Sequence, residues 1–470
     1  MKNLLLYIAA GVSLALASCS RDLGDYDYKE VPDPVVMGIQ DSVFQAMVGD
    51  SLIIEPVVKL PSGTNKYSIK WKVDISDEMR SIEFEGKTLR FVFGIGSNRY
   101  PGLAVLTDST TGMKYYYKFS IQGNTEFTRG TLILSASADK SHFSFVKEDG
   151  TVQADLYKAM NEEDIPAGGR QLLPIASQNY NSGAVSSYWI TYASGAVQLD
   201  VNTLVRKRFL KDFFFNPPPT FDNGNYKVLS DGSMMAIMNG QVYFGAYETA
   251  PFATYFGFFG APVNGRYNIG PEIIDDITGG AWVFMLGFDK EKKAFVRFSG
   301  RSFMDTTYKM LDSAFNPKNL GMSLIHMERF SDDNIYAFVD SAGLKVKELN
   351  IGVEFMGGDV FRAKSQRVSP VGPYLKPNTV WAKGIERDFY FSSGDKVYRY
   401  NPVNDEIRAL AYDFGGKEVS MIKVLNNGDL MLAGTEGTVH YLDISTGRNG
   451  AFIKKIEGIP GSPKDVVIRN

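Results

Sequence analysis

The 470-residue chain contains one cysteine and three histidines. A single thiol rules out an intrachain disulfide, so packing has to supply the stability. His142, His326 and His440 lie far apart, and no HExxH occurs. Zinc sites built from Cys and His clusters are therefore not expected. The GxSxG elbow, the GxGxxG loop, the P-loop and the EF-hand acidic order are also missing. No catalytic residue, metal or cofactor is expected from motifs. Charge of either sign is not in excess: 50 Lys and Arg against 53 Asp and Glu leave a net −3. A nucleic-acid partner would want a clustered basic surface, so none is expected. Long helical patterns are almost absent, and no apolar run reaches the roughly 20 residues that a membrane-spanning helix needs.

What is present begins at the N-terminus. Lys2 is followed by an apolar run from Leu4 to Leu16, then small residues Ala17 and Ser18 and the lone Cys19. Charge, grease and small residues in that order form an export signal over 1–18. Leu16-Ala17-Ser18-Cys19 resembles the lipobox of bacterial lipoproteins, which implies that the Cys19 thiol accepts lipid. Several acyl chains, at about 0.8 kcal/mol per buried methylene, would hold the chain on a bilayer. Residues 19–34 are acidic (Asp22, Asp25, Asp27, Glu30) and end at Pro32 and Pro34. Such a segment makes a poor core and reads as a tether. An acidic stretch behind a lipobox resembles the surface-export signal of Bacteroidota lipoproteins. That likeness implies an outer-membrane lipoprotein facing the cell exterior.

Residues 35–124 carry short strands between turns, at 51–60, 67–75, 89–94, 102–108 and 114–122. YSIKWKV alternates, with Ile69, Trp71 and Val73 on one face and Ser68, Lys70 and Lys72 on the other. This period of two is that of a half-buried antiparallel strand. PSGTN (61–65) and DSTTGM (108–113) are turn chemistry. The pattern predicts a β-sandwich, and the segment resembles the PKD or immunoglobulin-like domains of Bacteroidota surface lipoproteins. The likeness implies a spacer with Trp71 in its core.

From 130 to 470 one pattern recurs: an apolar strand, a tight turn, and a second alternating strand. The copies are 142–157, 188–201, 233–247, 281–299, 335–350, 389–401 and 430–443, with turns at Gly150, Gly195, Gly240, Lys290, Gly343, Gly394 and Gly437. One hairpin cannot bury its apolar face alone, whereas stacked blades bury one another. Self-similarity at intervals near 50 residues predicts a β-propeller. Seven copies point to seven blades, with six and eight as the neighbouring counts. GTLILSAS (130–137) and VVIRN (466–470) are orphan strands whose pairing would close the ring. The fold class is all-β: an Ig/PKD-like sandwich followed by a propeller.

Two aromatic segments stand out as candidates for recognition. The first contains Phe213, Phe214 and Phe215, three prolines and Phe221. The second contains Phe252, Tyr255, Phe256, Phe258 and Phe259 between Pro251 and Pro262. Prolines exclude a central strand, and apolar loops either fold inward or mark an interaction site. The conspicuous carboxylate pair Asp275-Asp276 reads as a helix cap or polar turn, and His440 as a strand residue. Sandwich plus propeller resembles surface lipoproteins that accompany SusC/SusD-type nutrient importers. That likeness implies a non-catalytic accessory capturing oligopeptides or glycans. A surface glycoside hydrolase or lyase and a purely structural importer subunit are the rival classes, because glycoside hydrolysis needs only two suitably spaced carboxylates.

Overall fold

The alternating segment Tyr67–Ile75 forms the centre of a sheet, because one face can be wholly apolar while the other carries lysines. The computed structural model describes residues 32–176, 185–229, 233–246, 257–277, 284–341 and 345–469. In it the sheet runs Ser42–Met47, Lys114–Asn124, Arg99–Asp108, Tyr67–Ile75, Arg80–Glu85, with only the first pair parallel. Ser51–Ile54 pairs with Leu89–Val92, and Val35–Met37 with Val57–Lys59, to give the opposing layer. The strand expected over 51–60 is thus two strands, broken at Glu55-Pro56. Ile69, Trp71, Val73, Leu106, Phe119 and Ile121 fill the space between the layers. Trp71 is fully buried and donates its indole N–H to the Gly86 carbonyl at 2.8 Å. Trp71→Phe leaves that acceptor unpaired and a small void. It should cost about 1–2 kcal/mol, measured as a lowered denaturant midpoint.

Among the described residues the remainder forms seven sheets, one for each of seven blades. Six are consecutive along the chain, with first strands Gly169–Ala176, Asn223–Val228, Ile269–Ile277, Ser323–Ser331, Trp381–Lys383 and Val419–Leu425. These define blades 2 to 7. Blade 1 is assembled from both ends of the region. Gly130–Ala136, Lys140–Val146 and Val152–Gln153 form three strands, and Ser462–Arg469 pairs antiparallel with Gly130–Ala136. The first strands, with Ser462–Arg469 as that of blade 1, are the inner ones and follow one another around the ring, those of blades 5 and 6 meeting through His326 on Trp381 and Lys383 on the Arg329 carbonyl. The orphan strands therefore pair with each other, and the last one supplies the inner strand of blade 1.

The repeat frame needs one correction. In blades 2 to 7 the recurring hairpin joins the second and third strands. In blade 1 that hairpin is Gly130–Ala136 with Lys140–Val146, and its turn (Ser137–Asp139) has no glycine. The glycine turn at Gly150 belongs to the next hairpin outward. Elsewhere Asn239-Gly240 adopts φ of 53° and 70°, as a two-residue hairpin turn demands. Gly343 lies outside the described residues.

An inner strand has no further strand to bond its edge, and buried N–H groups need acceptors. Side chains from neighbouring blades supply them. Asp465 accepts from the Leu172 N–H at 2.8 Å, Gln171 from the Tyr226 N–H at 2.8 Å, and Glu272 from the Met327 N–H at 2.8 Å. Lys227–Asp275 and Lys423–Asp465, each 2.7 Å, tie further junctions. The result is a polar belt around the axis of the ring.

Candidate functional site

The inner strands of blades 3 to 6 enclose a cavity of ≈ 390 Å³ beside the belt. Strand alternation sends Lys227, and His326 with Glu328, to the cavity side of their strands, while register shifts in Ile269–Ile277 let both Glu272 and Asp275 reach it. Lys227 comes from blade 3, Glu272 and Asp275 from blade 4, His326 and Glu328 from blade 5, and Lys383 from blade 6. Asp275 sits within the strand Ile269–Ile277 and not in a helix cap or turn, because its neighbours Ile273, Ile274 and Ile277 bury their side chains as strand residues. The Asp276 side chain is outside the described residues.

Most of these charges have partners. The Glu272 carboxylate accepts from His326 Nδ1 at 2.8 Å as well as from the Met327 N–H. The His326 ring is stacked on Trp381 of blade 6, with centroids 4.7 Å apart and planes 12° apart. Burial disfavours the imidazolium, but the charge and hydrogen bond of Glu272 outweigh it and raise the His326 pKa above its ordinary value. His326 Nε2 is buried without a protein partner. Lys383 Nζ donates to the Arg329 carbonyl and lies 3.9 Å from Glu328. Sequence reasoning missed His326. The signal available was its place in an alternating inner strand one blade after Glu272.

The other histidines are packed. His440 sits in the strand Thr438–Asp443, bonded to Tyr412 Oη and Thr435 Oγ1, each at 3.0 Å. Burial, helped by Lys455 and Lys417, lowers its pKa. His142 bridges Asp155 and Ser137. Among the described residues, no three His, Cys, Asp or Glu side chains converge as metal ligands.

The two aromatic segments meet between the outer parts of blades 2 and 3. Among the described residues blade 3 has three strands, and Phe259 takes the fourth position, bridging Gly245 and Phe214. Phe213, Phe214 and Phe259 are buried, at 4%, 8% and 0% exposure, against Trp189 and Tyr243. They belong to the interblade core, because a three-stranded blade leaves an apolar gap that they fill. Phe221 and Phe258 are half-buried, and Phe215 is 71% exposed. Phe215 packs on Phe258 at 5.6 Å, and the Arg208 guanidinium lies 5.4 Å from the Phe258 ring. Of the nine aromatic candidates, the described surface thus includes Phe215, Phe221 and Phe258. Phe252, Tyr255 and Phe256 lie outside the described residues, as does Cys19.

Residues 19–168 match the model of the PKD-like family, a span that takes in the sandwich and the outer strands of blade 1. Among curated proteins none matches the chain. Among solved structures, the chain is similar to a quinonprotein alcohol dehydrogenase-like protein from Bacteroides thetaiotaomicron. The identity is 12% with a TM-score of 0.41, covering 93% of this chain and 99% of that one. A putative 6-phosphogluconolactonase from Bacteroides uniformis is similar at 12% identity and TM-score 0.40, covering 72% and 99%. Dihydro-heme d1 dehydrogenase NirN is similar at 12% and 0.39, covering 85% and 75%.

Proposed function

We propose that the protein is a lipid-anchored recognition module of the outer-membrane surface. In this reading lipid on Cys19 holds it, the sandwich acts as a spacer, and the ring binds an oligopeptide or glycan as an accessory of a SusC/SusD-type importer. The observation that carries recognition over bond-making is the state of the cavity carboxylates. Glu272 is occupied by His326 and the Met327 N–H, and Asp275 by Lys227. A glycosidase pair needs one protonated acid and one free base or nucleophile, whereas these two are engaged in holding adjacent blades together. Exposed Phe215, packed on half-buried Phe258, supplies an apolar face suited to stacking on a sugar ring or packing against a peptide.

The test is affinity purification of the native lipoprotein from outer membranes. Co-purification of an importer supports the accessory role, and its repeated absence sinks it. Cys19→Ala should release the chain from the membrane fraction. Protease treatment of whole cells should cleave the ring, while full protection would refute the outward orientation. Turnover of a polysaccharide panel would overturn the non-catalytic reading.

A further inference from the structure

A second concavity opens on the side of the ring, between blades 6 and 7. It arises from strand register. In blade 6, Tyr390 stands opposite Arg399, and Arg399 opposite Arg408, so the three share one face in a row across three strands. Asn401 and Glu406, also opposite each other, form the next row. These rows, with Asn449 from the facing loop of blade 7, line a cavity of ≈ 140 Å³. Like charges directly opposite on neighbouring strands are destabilising, so the Arg399–Arg408 pair needs compensation.

Compensation reaches only one of the two. Arg399 bonds the buried Asp388 carboxylate through Nε and lies 3.7 Å from Glu386. Arg408 has no carboxylate within ion-pair distance among the described residues and is exposed at the rim. The floor holds a second unmet group. Tyr390 is 4% exposed, and its phenol has no hydrogen-bond partner among the described residues. Burial, then the Asp388 charge, push its pKa up to about 12, so it remains a donor. Its hydroxyl opens into the cavity, where a ligand oxygen can accept from it.

We propose that this cleft binds a carboxylate-bearing pyranose, a uronate-type sugar. The carboxylate pairs with Arg408, and the ring hydroxyls bond Tyr390, Asn401, Asn449 and Glu406. The size fits one sugar ring rather than a drug-sized ligand, whose sites run from about 300 Å³ upward. Glu406, and Asp388 and Glu386 behind Arg399, disfavour a compact dianion such as phosphate, while Glu406 accepts from sugar hydroxyls. The site is separate from the axial cavity and does not depend on the accessory role.

The test is calorimetric titration of the full chain with D-glucuronate, D-glucose and inorganic sulfate. Glucuronate should bind at least ten-fold more tightly than either of the others. Arg408→Gln, at an exposed position, should weaken it ten-fold or more, and Tyr390→Phe several-fold, with melting temperatures of both variants near the parent's. No glucuronate binding, equal binding of glucose or sulfate, or unchanged affinity in Arg408→Gln would each overturn the proposal.

Discussion

Deleting Ser462–Arg469 is expected to abolish folding of the ring, not merely to lower its melting temperature. That strand lies innermost in blade 1, and every residue of Gly130–Ala136 pairs with it. Its removal strips the partners from the Gly130–Ala136 edge, and unpaired backbone groups are costly. It also removes Val466, at 1% exposure, from the cluster it shares with Ile133, Leu432, Val439 and Ile459 at the junction of blades 7 and 1. Asp465, which holds both Lys423 of blade 7 and the Leu172 N–H of blade 2, goes with it. Among the described residues no other strand pairs across the two ends of the repeat, so an open array would expose two apolar blade faces. Near-UV circular dichroism should lose the ring's aromatic signal, while the sandwich around Trp71, which has its own core, still unfolds cooperatively. Val466→Asp is the milder version. It buries an uncompensated charge and should cost roughly 3–5 kcal/mol. A truncated chain with its near-UV signal and a single cooperative transition intact would show that closure by the last strand is dispensable.

The closure was legible because hairpins announce themselves. Alternation plus Asn-Gly, Asp-Gly or lone glycine turns marked the recurring units, and counting them gave the number of sheets. In blade 1 the equivalent turn, Ser137–Asp139, lacks glycine, and the nearest glycine signal, Gly150, lies one hairpin further out. Asp275-Asp276 read as a cap because two adjacent acids look like polar punctuation. The isoleucines on either side were the better signal, and they made an inner strand. The aromatic loops were found, but their division was not visible. Whether Phe214 or Phe215 faces solvent depends on Phe214 bridging to Phe259 at the outer edge of blade 3, a pairing no local pattern encodes. Of the row Tyr390–Arg399–Arg408, the two arginines lie in YRYNPVNDEIR (398–408) and Tyr390 in the strand Phe389–Ser393 before it. Arg399 and Arg408, like Asn401 and Glu406, are equidistant from the centre of one hairpin, and a search for known motifs does not look for that symmetry.

Replacing Glu272 by Ala should cost about 1.5–3 kcal/mol, the amount typical of hydrogen bonds to a charged group. The carboxylate satisfies two donors on blade 5, His326 Nδ1 and the Met327 N–H, and His326 in turn lies flat on Trp381 of blade 6. One side chain thus joins three blades, and its loss leaves an imidazole and a backbone N–H without their protein acceptor. The pH dependence follows from the raised His326 pKa. A histidine whose pKa is higher folded than unfolded stabilises fully below its unfolded value, near 6.5. That contribution is lost as pH rises through the folded value. His440 acts with the opposite sign: its lowered pKa favours the fold above the unfolded value and opposes it in acid. The informative quantity is therefore the difference between the parent and Glu272→Gln, in which the charge that raises His326 is gone and the His440 contribution cancels. Urea denaturation from pH 5.5 to 9 should show the parent's advantage over Glu272→Gln largest at the acid end and shrinking towards the alkaline end. A gap that stays constant across that range would mean that His326 stays neutral in the folded ring and that Glu272 acts only as an acceptor for the Met327 N–H.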